Sequence, residues 1–325
     1  MSSPLPIAPG SPWLAPLAGF SDLAFRLLCR ERGAAVAVTE MVSAKGLVYG
    51  SSGTEPLLAT CPEDCPLVVQ LFGAEPETVA RAMDLLLARG FTHFDLNAGC
   101  SVPKVVKTGA GAALLNDPGR LVSVVAAMVR AAGPGRVGVK FRLGWCAGRE
   151  CHLDLGRALE DAGVAWLTLH PRTARQAFSG RADWPEIAAL VSRVSIPVMA
   201  SGDLFTAEDA AACLKESGAS GVMFARGAMA DPAVFSRLQA LLDGQVLPPA
   251  TPAELAALVS RHAELIRRSD FPRRGFLRLR TIVPRYLRGL PGAKAVREAL
   301  IRAADWSELP GIIERIAAAR SEESC

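Results

Sequence analysis

The chain has 325 residues, half of them apolar and 21% charged, with 36 Lys and Arg against 32 Asp and Glu for a formal charge of +4. That balance excludes an intrinsically disordered chain, and the length allows one barrel of about 250 residues plus a smaller module. No run of about 20 apolar residues occurs, so no membrane-spanning helix is expected.

The N-terminal stretch MSSPLPIAPGSPW lacks the basic region and apolar run of a secretory signal. Cysteines stand at 29, 61, 65, 100, 146, 151, 213 and 325, without zinc-site spacing or a histidine cluster. Reduced thiols, no metal site and a cytoplasmic protein are expected.

Short apolar runs of the kind that become buried parallel strands recur at 13–17, 36–41, 67–72, 92–97, 137–142, 166–170, 197–200 and 221–225. Between them, 22–32, 75–89, 118–131, 153–161, 184–191, 207–217 and 232–242 carry helical periodicity, several behind capping signals such as Asp22, Asp117 and Thr206. Eight strand–helix units predict an α/β fold, a (β/α)8 TIM barrel. A doubly wound sheet would often show a G-x-G-x-x-G turn after its first strand, and here Ala18-Gly19-Phe20 stands there.

The stretch GQVLPPATP at 244–252 reads as a linker. No strand pattern follows it, so a small all-helical domain is expected, with a catalytic domain over 1–245 and a helical domain over 251–325. The charge is concentrated in the second. Residues 251–325 carry 14 Lys and Arg against 9 Asp and Glu, whereas residues 1–250 carry 22 against 23. Over 261–302 the count is 12 against 3. A near-neutral body with one basic module is the footprint of a protein that binds a polyanion; a solvated helical face is the plainer alternative. Apolar residues interleave the cations, which predicts folded helix. Arg274, Arg278 and Arg280 are candidate phosphate contacts.

A barrel places its chemistry at the C-terminal ends of its strands. The polar residues there are Glu40, Gln70, Asn97, Cys100, Lys140, Arg142, His170, Arg172, Asp203 and Arg226. The seventh and eighth strand ends, Ser201-Gly202-Asp203 and Arg226-Gly227, suit a phosphate, because glycine admits close backbone approach and arginine supplies charge. Lys140 would neutralise an electron-rich ring such as reduced flavin, and Gln70 would bond its edge. Cys100 lies at a strand end, with Lys104 and Lys107 near it in sequence. Gly109-Ala110-Gly111 suggests a flexible segment over the mouth. A positioned thiol acts as nucleophile or acid, although a lone cysteine is more often a small core residue.

These segments together resemble the tRNA-dihydrouridine synthases. The resemblance rests on Leu14-Ala15-Pro16-Leu17-Ala18-Gly19-Phe20-Ser21-Asp22, Thr39-Glu40-Met41, Val69-Gln70-Leu71-Phe72-Gly73, Asp95-Leu96-Asn97-Ala98-Gly99-Cys100 and Gly109-Ala110-Gly111-Ala112. Val139-Lys140-Phe141-Arg142-Leu143-Gly144, His170-Pro171-Arg172-Thr173, Ala200-Ser201-Gly202-Asp203 and Phe224-Ala225-Arg226-Gly227-Ala228 follow in order. The stretch 285–293 is similar to the helical tRNA-binding domain of bacterial members.

The resemblance implies FMN at the barrel mouth, against Pro16, Leu17, Ala18, Gln70, Lys140 and His170 on one side. Ser201, Gly202, Asp203, Ala225 and Arg226 would hold it on the other. It implies NADPH as reductant, hydride to C6 of a uracil and a proton from Cys100 to C5. Asn97, Lys140, His170 and Arg172 would surround flavin and uracil, and the tail would grip tRNA. No protein partner and no membrane association are implied. Two departures stand out: Ser101 where the family usually has Pro, and Ala225 where it usually has Gly. A flavin oxidoreductase of a small pyrimidine-like substrate, similar to dihydroorotate dehydrogenase, a synthase acting on ribosomal RNA and a non-catalytic RNA binder are the competing readings.

Overall fold

Nine short strands pair in parallel: β1 (Ser11–Leu14), β2 (Val36–Val38), β3 (Val42–Ser43), β4 (Leu67–Phe72), β5 (His93–Ala98), β6 (Val137–Arg142), β7 (Trp166–His170), β8 (Val198–Ala200) and β9 (Gly221–Phe224). Their order is β2-β1-β9-β8-β7-β6-β5-β4-β3, and β2 also pairs with β4, which closes the sheet. Both β2 and β3 pair with β4, so they are two halves of one barrel strand. The result is the expected eight-stranded barrel. The structure is a computed structural model that describes residues 5–268 and 272–319, the side chains of 272–274 excepted.

The second strand, expected as one run over 36–41, is broken in the middle. The Thr39 N–H still bonds the Val68 carbonyl at 3.0 Å. Its hydroxyl, however, accepts the Gln70 N–H at 3.1 Å and donates to the Glu40 carbonyl at 2.9 Å. A side-chain oxygen thus replaces a ladder partner, and Glu40 and Met41 are freed to turn at the barrel rim.

Helices Leu23–Glu31, Pro76–Ala88, Pro118–Ala132, His152–Asp161, Pro185–Arg193, Ala207–Ser217 and Val234–Leu242 surround the strands. The predicted caps hold: Asp22 accepts from Phe25 N–H, Asp117 from Arg120 N–H, and Thr206 forms a capping box with Asp209. Inside the barrel, Trp13 and Trp166 meet edge to face, with centroids 5.8 Å apart. Their bulk explains Gly138: a Cβ there would lie 2.0 Å from Trp166 Cε2.

After residue 251 the described residues contain only helix, chiefly Pro252–Arg267, Pro272–Tyr286, Ala293–Arg302 and Leu309–Ala317. The first of them packs against the helix Leu23–Glu31, and the others pack chiefly on one another and on the first. His262 and Tyr286 are buried, with Tyr286 Oη 3.1 Å from His262 Nδ1 and the Phe25 ring 5.9 Å from the imidazole. Ion pairs Arg261–Glu31 at 2.6 Å and Arg278–Asp22 at 2.5 Å bracket the contact. One apolar cluster runs from the barrel helices into these four. Among the described residues no helix is long and apolar enough to cross a membrane.

Candidate active site

The strand ends enclose a cavity of about 280 Å³. Its register follows from the ladder. Asn97 on β5 pairs with Lys140 on β6, and Arg142 with His170 on β7. Pro16, Leu17 and Ala18 line one side, and Asn97, Cys100, Lys140 and His170 line the floor and far wall. Ser201, Gly202, Asp203, Ala225 and Arg226 close the remaining side. The sequence-based candidates from six strand ends therefore meet around one space.

Cys100 is held by backbone bonds. Its N–H donates to Asn97 Oδ1 at 2.9 Å, and its carbonyl accepts the Ala112 N–H at 2.9 Å. Gly111 makes the second contact possible. It sits at φ +62°, and a Cβ there would be 2.7 Å from the Cys100 oxygen. The segment expected to be flexible is packed: Ala110 and Ala112 are 1% and 0% exposed. It wedges under the Cys100 loop instead of hanging over the mouth.

The far wall is cationic and poor in acceptors. The Lys140 ammonium has no hydrogen bond or ion pair among the described residues. Burial, and then the nearby Arg142, push its pKa down to about 8, with Asp95 opposing. Arg142 donates to the carbonyls of Gly99 at 2.9 Å, Thr173 at 3.0 Å and Ala177 at 2.8 Å, so it staples two loops to the Cys100 turn. His170 is held far below the ordinary imidazole range by burial and by Lys140, Arg142, Arg172 and Arg226. It is neutral at pH 7. Arg172 Nη1, which can only donate, lies 3.3 Å from His170 Nε2, and this leaves the proton on Nδ1.

The opposite wall is a paired charge. Asp203 takes a bidentate bond from Arg172 at 2.9 and 2.6 Å and a third from Arg226 at 3.1 Å. Burial would raise the Asp203 pKa, but the Arg172 bond, the Ala182 N–H and the two guanidinium charges hold it below the usual range. Arg226 lies 5.0 Å from the Phe178 ring centroid and 4.7 Å from that of Phe205. It remains 44% exposed and begins the short helix Arg226–Ala230, whose N-terminus no side chain caps.

Gln70 and Arg172, expected around the flavin and uracil, do not line the cavity, and Arg278 and Arg280, expected at RNA phosphates, also make contacts within the protein. Gln70 is buried one layer below the cavity, its amide shared between Asp95 and Asn97. Arg172 is 1% exposed and lies behind Asp203, bonded also to the Ser179 and Gly180 carbonyls. Arg278 pairs with Asp22 and lies 3.8 Å from Glu40 at the barrel rim, and Arg280 covers the Phe276 ring at 5.0 Å. Arg274 falls outside the described side chains. Phe178, Phe205 and Arg142 also line the cavity, the two aromatics from loops and Arg142 from the end of β6. Nothing in the sequence marks the two aromatics except their isolation in polar loops.

A parallel (β/α)8 barrel whose mouth gathers a thiol and several cations at the strand ends defines a barrel enzyme. The model of the family "Dihydrouridine synthase (Dus)" matches residues 13–322. A probable tRNA-dihydrouridine synthase of Mycobacterium tuberculosis is 37% identical over 315 residues, covering 93% of this chain and 81% of that protein. Another from Treponema pallidum is 41% identical over 254 residues, covering 74% of each. Among solved structures, a 2-naphthoyl-CoA reductase complex superposes with a TM-score of 0.53 at 9% identity, over 72% of this chain and 50% of that one, a likeness of fold alone. The chain belongs to the dihydrouridine synthase family.

Proposed function

We propose that the protein reduces uridine in tRNA to 5,6-dihydrouridine, with FMN as cofactor and NADPH as reductant. Family membership supports the reaction. The observation that carries the residue assignment is the single cavity that Cys100, Lys140, neutral His170 and the Asp203–Arg226 pair share.

Two features of the cavity suit FMN. Lys140 offers an ammonium with no acceptor among the described residues, in a wall whose cations already disfavour its charge. Gly202, at φ +105°, keeps open a space in which a Cβ would approach His170 to 2.8 Å. Arg226, with the backbone of Ser201, Gly202 and Ala225, would hold the phosphate. Lys140, His170 and the Pro16–Ala18 wall would hold the ring. When bound and reduced by NADPH, FMN supplies the hydride to C6 of the uracil.

The chain's own residues do the rest. Cys100 carries a proton on Sγ and delivers it to C5. Lys140 and Arg142 stabilise negative charge that builds on the uracil carbonyl. A uracil inside folded RNA must leave its stack at a cost of a few kcal/mol, and tail cations gripping phosphates offset it. On this reading residues 1–245 form the catalytic domain and 251–325 the RNA-binding domain.

Cys100→Ala tests the assignment. It should retain FMN and lower dihydrouridine formation by about 10²- to 10⁴-fold, the usual range for a lost acid. Turnover at the parent rate would contradict the proton-donor role.

A further inference from the structure

Beneath the cavity three buried polar side chains form a chain that the proposed chemistry does not itself consume. Gln70 Nε2 donates to Asp95 Oδ2 at 2.7 Å, and Asn97 Nδ2 donates to Gln70 Oε1 at 2.8 Å. Asn97 Oδ1 then accepts the N–H groups of Gly99 at 3.1 Å and Cys100 at 2.9 Å. Asp95, Gln70 and Asn97 are 2%, 0% and 6% exposed, so water replaces none of these partners freely.

The two ends of this chain have opposite polarity while Asp95 is ionised. A backbone N–H only donates, so Asn97 must turn its oxygen toward Gly99 and Cys100. While Asp95 is ionised its carboxylate only accepts, which turns the Gln70 NH₂ toward it and leaves the Gln70 oxygen for Asn97. Each amide is nearly symmetric in shape, and half a turn of either would cost little sterically. It would cost a great deal in bonding. A reversed Asn97 would set its NH₂ against two N–H donors and leave buried donors unpaired.

Packing alone does not explain Asp95. Burial raises its pKa to about 7, against the Gln70 bond and the Lys140 charge. Its second oxygen, Oδ1, is buried without a hydrogen-bond partner among the described residues. An apolar residue would fill this place with no such cost. What an ionised carboxylate contributes here, and an apolar residue would not, is an acceptor for Gln70 at the far end of the two amides.

We propose that Asp95 is a positioning residue which, through Gln70, locks Asn97 in the one orientation that holds the Cys100 backbone, and with it the thiol, at the cavity. Its consequence for turnover rests on Cys100 being the proton donor; its consequence for the backbone does not.

The test compares FMN-loaded parent enzyme, Asp95→Leu and Asp95→Asn by amide hydrogen exchange over 97–101 and by steady-state kinetics with tRNA. In Asp95→Leu the Gly99 and Cys100 amides should exchange about ten-fold faster and kcat should fall about ten-fold, as for the loss of one buried hydrogen bond, with KM for tRNA little changed. Asp95→Asn can still accept through Oδ1 and should recover most of both. Parent-like exchange and kcat in Asp95→Leu would overturn the proposal, as would equal damage in the two variants. If Asp95→Leu fails to fold, Gln70→Met breaks the middle link at similar volume, and parent-like exchange at Cys100 in that variant overturns the proposal equally. Should the parent enzyme form no dihydrouridine, the proposed reaction fails, while the exchange comparison still decides the role of Asp95.

Discussion

Lys140 sits where its charge costs stability and where the proposed flavin would use it. Its pKa falls from 10.5 to about 8 on folding without ligand. Between those values the unfolded chain keeps a proton that the folded chain releases, so stability relative to a variant without the amine rises with pH across that window. Below pH 8 the folded protein carries the charge at a cost. Lys140→Met should therefore match or exceed the ligand-free parent in stability at pH 7 and lose the alkaline rise. It should bind FMN about 10- to 100-fold more weakly, as expected for loss of a charged hydrogen bond. Denaturant unfolding at several pH values and flavin titration read the two effects. A variant destabilised at pH 7 with flavin affinity intact would reverse the assignment. The cavity position of Cys100, Lys140 and Arg226 is legible in the sequence because a polar residue at the end of an apolar run is costly to bury without a ligand or partner. Gln70 met the same criterion yet lies one rung lower. It pairs with Asp95, whereas Asn97 pairs with Lys140, and a strand end read from hydropathy alone does not fix the rung.

At the scale of elements, the strand–helix alternation was legible because each buried parallel strand is a continuous apolar run and each helix carries one apolar stripe. The break between β2 and β3 was not. Val36 to Met41 reads as one strand, and only the geometry shows the Thr39 hydroxyl taking a ladder position. The Gly109–Gly111 segment misled in the opposite direction. Glycine there serves close approach to the Cys100 carbonyl, not freedom of motion, and a sequence does not tell these apart. Phe178 and Phe205 were missed because loops of irregular backbone carry no period from which a side chain's direction follows.

Over the whole molecule, the basic excess after residue 251 divides into cations that seat the tail and cations that face solvent. Arg278 belongs to the first group, between Asp22 and Glu40. Arg288 and Lys294 are exposed and belong to the second. Arg278→Glu places a third carboxylate beside two others and should lower the melting temperature. The double change Arg288→Glu and Lys294→Glu should leave melting unaltered and reduce the slope of log affinity for tRNA against log salt by about 1 for each phosphate these side chains neutralise. An unchanged slope would remove these two cations from the RNA surface. Charge counting found the module but not this division, since which cations pair with the barrel depends on how the helices dock.

On the proposed reading the cavity holds a flavin that reduces RNA. The most direct test is the visible spectrum of the purified protein under anaerobic conditions, followed through addition of NADPH and then of tRNA lacking dihydrouridine. The expected result is a flavin spectrum that bleaches with NADPH and returns with tRNA, as dihydrouridine appears in the RNA. A reduced flavin indifferent to tRNA, or a colourless protein that FMN cannot reconstitute, would contradict the reading.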